Sequence, residues 1–196
     1  GVEFRTRWRW QGFDGEGFTF DTPTGPETPA PVATVLALGG ASWSRLGSDG
    51  AWAPWLADKG VALAPFQPAN AGLSVDWTDH MAKHFGAPVK AVRLLAGDLS
   101  LRGEFVISAR GLEGSAIYAV SRALRDGAPL ALDLAPDLTE AEVAKRLARP
   151  RAKATVAAHL RKSLRLDPAR LALLMEFGRP LPQGPALAAL VKALLV

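Results

Sequence analysis

Cysteine is absent from the chain. That excludes disulfides, thiol nucleophiles and Cys-based metal sites, and it suits a reducing compartment. No G-x-G-x-x-G follows a strand-like run, so the cradle that seats a dinucleotide pyrophosphate on a helix N-terminus is missing. No apolar run reaches the length of a membrane span, and no basic-then-apolar leader opens the chain. Neither a membrane partner nor a secretory signal is expected, and the location expected is cytoplasmic. Methionine occurs only at Met81 and Met175, and none stands at position 1. The chain starts on a strand-like pattern and ends, over residues 186–196, on an apolar helix without a polar tail. Natural termini tend to be polar and frayed, so the chain is expected to be a piece of a longer protein.

What is present is an ordinary globular composition. Hydrophobic residues make up 48% of 196 and charged residues 21%, enough for one large domain or two small ones with a real core. The net charge is +4, and the basic excess gathers in the C-terminal third, at Lys145, Arg146, Arg149, Arg151, Lys153, Arg161, Lys162, Arg165 and Arg170. Such a run can attract phosphate backbones. It carries no interleaved aromatics and no nucleic-acid motif, so a solvated helix face is the favoured reading and nucleic acid is not the expected partner.

Residues 1–10 alternate apolar and charged, with Val2, Phe4, Trp8 and Trp10 on one side, the period of a half-buried strand. A turn at Asp14-Gly15-Glu16-Gly17 and a returning strand at 18–21 complete a hairpin. Residues 22–31 hold four prolines and read as a loop; 32–38 is an apolar strand of the kind buried in a parallel sheet. It ends at Gly39-Gly40, a polar turn follows, and a helix is expected over 49–59, capped by Ser48 or Asp49 and closed by Gly60. Another strand covers 61–66, and the bracket of Pro65 and Pro68 marks a boundary.

Strands then dominate to Pro136, at 71–75, 89–95, 104–109 and 130–134, with helices at 78–85 and 115–125. This predicts a β-rich barrel or curved sheet. Beyond it the strands stop. Helices are expected at 140–148, 152–164, 168–177 and 185–195, the first opened by a capping box of Thr139 and Glu142, the third by Asp167-Pro168.

The stretch with most chemical content is Ala37-Leu38-Gly39-Gly40. Glycines between a strand and a helix allow close backbone approach, and a helix start offers free N–H groups to an anion. Other constellations are weaker. Gly40-Ala41-Ser42-Trp43-Ser44 lacks the last glycine of a nucleophile elbow. His80 and His84 stand four apart, but Met81 occupies the place of the metalloprotease glutamate, and an amphipathic face accounts for them better than zinc. No metal is expected. Ser115 and Tyr118 fit helix capping and core packing as well as a site.

Three blocks resemble one family. Ala37-Leu38-Gly39-Gly40-Ala41-Ser42-Trp43 with Leu46-Gly47-Ser48-Asp49-Gly50 is similar to the A-T-G-G-x-S-Y/W-P-x-x-G-S-x-G-D-G segment of BaiN-like, aminoacetone-oxidase-like flavoproteins. Gly103-Glu104-Phe105-Val106-Ile107-Ser108 through Gly111-Leu112-Glu113-Gly114-Ser115-Ala116-Ile117-Tyr118 resembles that family's G-E-x-x-F/V-T-x-x-G-x-S/E-G block, and Leu130-Ala131-Leu132-Asp133-Leu134-Ala135-Pro136 is similar to its I-D-L-x-P. The blocks come in the family's order. Leu38 stands where many members have Thr, and Ser44 where many have Pro.

The resemblance implies an α+β, multi-part chain: the edge of a Rossmann-type FAD domain over 1–65, made of hairpin, parallel strand and helix, then an insert with a β-rich part over 66–136 and a small helical bundle over 137–196. It implies that the backbone of Ala37, Leu38, Gly39 and Gly40 passes beside FAD, with Trp10 near the adenine. The intact protein would be an FAD-dependent oxidoreductase acting on a small-molecule substrate, with NAD(P)H as candidate electron donor. The missing N- and C-terminal parts of the FAD domain would be this chain's partners, and the chain alone is expected to bind FAD poorly. The competing expectations are a non-catalytic interaction module and a basic nucleic-acid-binding protein.

Overall fold

Aromatic side chains organise the first of two units, Gly1–Gln67 and Pro68–Val196, in a computed structural model that describes residues 1–15 and 17–196. Strands β1 (Arg9–Asp14) and β2 (Gly17–Thr22) pair antiparallel, with Trp10 opposite Phe20 and Phe13 opposite Phe18. The ladder slips between Trp10 and Gly12, a bulge that Gly12 absorbs at φ +130°. Trp10 packs edge-on against Phe13 at 5.1 Å and against Trp55 at 4.8 Å between ring centroids. A short third strand, β3 (Gly25–Glu27), joins β2. It lies within the expected proline loop, and the sheet tolerates Pro26 because β3 is an edge that need not donate on both sides.

Three expected strands fail, wholly or in part, in this unit. The strand expected over 1–10 starts only at Arg9, and residues 32–38 and 61–66 enter no ladder. The pattern of residues 32–38 suits a strand buried on both faces, but a strand needs neighbours to take its N–H and C=O groups. No described segment of this unit supplies them, and Val32 and Val35 stand exposed. Helix α1 (Ala53–Asp58) is shorter than expected. Its start is set by Pro54, and the Asp49 carboxylate caps the preceding turn by accepting from the Ala51 N–H at 3.0 Å. Gly60, at φ +80°, closes it with an N–H donated to Ala57.

The second unit is built on a six-stranded, wholly antiparallel sheet: β4 (Leu73–Ser74), β5 (Pro88–Ala96), β6 (Leu99–Ser108), β7 (Gly111–Glu113), β8 (Leu130–Asp133) and β9 (Leu194–Leu195), in the order β4-β7-β6-β5-β8-β9. On β5, Val89 and Val92 are both buried although three residues apart. A bulge between them, with Ala91 at φ +50°, resets the two-residue phase so that Leu94 and Ala96 continue inward. The bulge bends the sheet, which curls into a half-barrel with open edges at β4 and β9.

Helix α2 (Ser115–Arg125) lies against the sheet through Ala116, Ile117 and Val120. A Cβ on Gly103 of β6 would come within 2.8 Å of the Ala116 Cβ, so the missing side chain lets helix and strand approach. The expected helix at 78–85 is a 3₁₀ turn, Asp79–His84, with Met81 buried beneath it.

Four helices follow: α3 (Glu140–Leu147), α4 (Val156–Leu164), α5 (Pro168–Phe177) and α6 (Pro185–Lys192). Thr139 and Glu142 form the capping box, with the Glu142 N–H donating to Thr139 Oγ1 at 3.2 Å and the Thr139 N–H donating to Glu142 Oε2 at 2.7 Å. Those bonds hold the Glu142 carboxyl below its ordinary range. Thr155 caps α4 and Asp167 caps α5. The helix expected to run to residue 195 stops at Lys192, because Leu194 and Leu195 pair with Leu132 and Ala131 as β9. Sheet and helices share one core, in which Leu94, Phe105, Leu132, Leu160, Leu173 and Leu194 are fully buried.

Candidate functional site

In the first unit the Gly-Gly turn is held by hydrogen bonds. Trp43 and Ser48 exchange backbone bonds, Trp43 N–H to Ser48 O at 3.0 Å and Ser48 N–H to Trp43 O at 3.2 Å, around a 3₁₀ turn at Ser44–Leu46. Gly47 leaves that turn at φ +84°. Gly39 has φ +69°, and a Cβ there would lie 3.1 Å from Ser48 Oγ. The glycine is therefore favoured by conformation, while the contact with Ser48 is tight and a turn of the serine side chain would relieve it.

Beside it lies a cavity of about 610 Å³ walled by Trp8, Trp10, Phe20, Leu38, Trp52 and Trp55, with Arg7 and Arg9 at its lining. The structure thus brings Trp10 and Leu38 to one cavity, while Ala37, Gly39 and Gly40 are not among its lining residues. Trp10 is 9% exposed, and its indole N–H already donates to Gly12 O at 2.7 Å. What it offers is a ring face and edge. The Trp52 indole N–H is buried without an acceptor among the described residues. An orphaned donor of this kind is costly, and no feature of the sequence signalled it. Asp49 lines the same cavity with its carboxylate 3.8 Å from Arg9, so Arg7 is the guanidinium left without a carboxylate there, and flat aromatic walls with one such group suit a planar ring beside an anion. In that limited sense these residues fit one edge of FAD; the glycine-rich cradle for its pyrophosphate is not among them.

In the second unit residues of the resemblance blocks shape the local backbone and packing. Gly111 has φ +141°, and a Cβ there would fall 1.9 Å from Leu73 O, so only glycine lets β4 lie beside β7. Gly114, at φ +118°, opens α2 in place of a side-chain cap; Ser115 follows it as the first helical residue, and Tyr118 is half-buried. Asp133, 6% exposed in its side chain, pairs with Lys192 at 2.6 Å, and Asp133 Oδ1 also accepts from the Ala135 N–H. Lys192 Nζ donates further to the carbonyls of Ala135 and Leu138, at 2.9 and 2.5 Å.

The remaining candidates sit apart. His80 Nδ1 meets Thr78 Oγ1 at 2.6 Å, and its Nε2 lies 3.3 Å from Glu176 Oε2. Thr78 donates its backbone N–H and its hydroxyl to the same buried carboxylate, so the histidine belongs to a tie between the 3₁₀ turn and α5. His84 is held below its ordinary pKa by burial and by the charges of Lys83 and His80. No group of three or more His, Asp or Glu suited to a metal occurs among the described residues. Ser42 lies on an exposed bend. No helix is long and apolar enough to cross a membrane among the described residues.

Residues 67–186, more than half of the chain, match the family described as HI0933-like protein barrel and H2TH domain. No curated protein matches the chain.

Proposed function

Because the chain belongs to the HI0933-like family, we propose that it is the edge of an FAD-binding domain, over 1–65, followed by the insert that covers flavin and substrate. The insert would comprise a β-rich part at 66–136 and a helical part at 137–196. The observation that carries this reading is the family match over 67–186, directly after a unit whose Gly39-Gly40 turn lies beside an aromatic, arginine-bearing cavity. The exposed apolar side chains of Val32 and Val35 support it, since they suit a strand whose sheet neighbours lie on other segments.

In this reading Ala37, Leu38, Gly39 and Gly40 present backbone to the cofactor, and Trp10 and Leu38 wall the pocket that takes one of its rings. FAD would supply electron transfer to or from a small-molecule substrate, with NAD(P)H as candidate donor, while the chain orients and shields it. A cytoplasmic location is part of the same proposal.

The test compares this chain with a longer one that includes the flanking reading frame. The longer protein should purify with flavin absorbance and fluorescence; this chain, titrated with FAD, should quench weakly or not at all. A colourless longer protein that cannot be loaded with FAD overturns the flavoprotein reading. Tightly bound flavin on the present chain overturns its status as a piece.

A further inference from the structure

We infer that the helical part carries a concave binding site for a phosphate chain, a pyrophosphate or nucleoside-diphosphate group, lined by Arg146, Arg149, Lys162 and Arg165. The cavity has a volume of about 520 Å³ and is completed by Pro150, His159 and Ser163. It is independent of the flavin site and of the reading proposed above.

The charge balance is the argument. Some cations elsewhere in this unit meet carboxylates, Arg102 with Asp137 at 2.6 Å, Arg170 with Asp167 at 2.9 Å and Lys192 with Asp133 at 2.6 Å, and others, such as Lys145 and Arg151, stand alone on the surface among the described residues; what sets the four apart is that they gather at one concavity. The four cations of the cavity have no side-chain hydrogen bond or ion pair among the described residues, and no carboxylate lines the cavity. Glu142, one turn before Arg146, feels its charge, but its carboxylate is committed to Thr139.

Helix ends account for part of the cluster. Arg146 lies in the last turn of α3 and Lys162 in that of α4, and Arg165 follows α4 in a left-handed conformation at φ +55°. Each helix C-terminus carries roughly half a negative charge. Two ends offset about one of four cations, leaving about +3, and still about +2 with Glu142 counted in full. Like charges gathered in a concavity repel one another and focus an attractive field for an anion.

The rest of the lining narrows the ligand. Ser163 adds a hydroxyl, and three guanidinium groups suit bidentate phosphate recognition. His159 Nε2 donates to Leu147 O at 3.1 Å, which leaves Nδ1 as its free nitrogen. No aromatic residue lines the cavity, so base stacking along a single strand has no platform there. Concavity, clustered charge and missing aromatics together favour a small phosphate chain over a nucleic acid.

The test is calorimetric titration of the full chain with pyrophosphate at low salt, repeated with ADP, with sulfate and with a short DNA duplex. Pyrophosphate should bind well above sulfate. Arg165→Gln with Lys162→Gln should weaken it about tenfold or more, the loss of charge-assisted hydrogen bonds. Arg151→Gln with Lys153→Gln, outside the cavity, should change it less than about threefold. ADP tighter than pyrophosphate would identify a nucleotide as the carrier of the phosphates; equal affinity would identify the phosphate chain alone, and both support the site. A second readout needs no variant: pyrophosphate should protect Lys162, and not Lys153, from an amine-directed label read by mass spectrometry. Absent binding, sulfate matching pyrophosphate, no protection of Lys162, or a duplex that binds tighter and loses equally with both variant pairs would each overturn the proposal.

Discussion

Replacing Lys192 by methionine should unfold the second unit far more easily than its position near the end of α6 suggests. The ammonium, 18% exposed, sits 2.6 Å from a carboxylate that is only 6% exposed. It also serves the carbonyls of Ala135 and Leu138. Methionine keeps the length of the stem and removes the charge. Asp133 is then left buried with one backbone donor, the Ala135 N–H at 3.0 Å. Breaking a buried pair from one side costs about 3–5 kcal/mol, whereas replacing both partners with apolar groups is often near neutral. Against a typical domain stability of roughly 5–15 kcal/mol, Lys192→Met should remove about a fifth or more. At about 2–4 °C per kcal/mol the melting temperature should fall by roughly 10 °C. Asp133→Leu should cost less, because the partly exposed Lys192 can turn to water. Asp133→Leu with Lys192→Met should recover at least about 2 kcal/mol relative to the sum of the single changes. Urea unfolding followed by far-ultraviolet circular dichroism reads all four proteins. A Lys192→Met cost under about 1 kcal/mol, or simple additivity in the double variant, would refute the view that this pair is a coupled, desolvated unit.

Gly111→Ala should cost more than about 2 kcal/mol and detach β4, since it combines a left-handed backbone with a Cβ placed 1.9 Å from Leu73 O; hydrogen exchange at Leu73 and Val75 checks whether the loss is local. Acid should weaken the helical part. Asp137 is held below the ordinary carboxylate range first by its hydrogen bond from Arg102, and Glu142 by the backbone of Thr139. A depressed folded pKa means that the contribution is present above the unfolded value, near 4, and is lost as pH falls through the folded one. The gap in melting temperature between the native chain and Asp137→Asn or Glu142→Gln should therefore be full at neutral pH and close below about pH 4. A gap unchanged at low pH would contradict this.

Legibility from sequence followed how local the determinant was. The helices Ser115–Arg125 and Pro168–Phe177 lie where expected, because Gly114 or Asp167-Pro168 starts each and a turn or glycine ends it. The start of α4 was readable in principle from Thr155, a capping residue that the run 152–164 concealed. Leu194 and Leu195 were not readable. An apolar run suits helix and strand alike, and only the presence of β8 as a neighbour decides. The same reasoning explains residues 32–38, where the pattern is that of a buried strand and the partners are not in the unit. Of the candidate site, the preference for glycine at position 39 was visible, whereas the cluster of Trp10, Trp52 and Trp55 depends on long-range packing. The basic residues of the C-terminal third were equally plain, but not that four of them line one cavity.

The pairing of β9 with β8 bears on how the helices can move. The chain leaves the sheet at Asp133, runs through four helices and returns at Leu194 to the strand it left. Departure and return are thus neighbours, anchored to one rigid edge and further riveted by Lys192 on Asp133. The core that these helices share with the sheet opposes a hinged swing of the excursion. Displacing this part from the sheet should therefore require β9 to peel away, a local unfolding of the last strand.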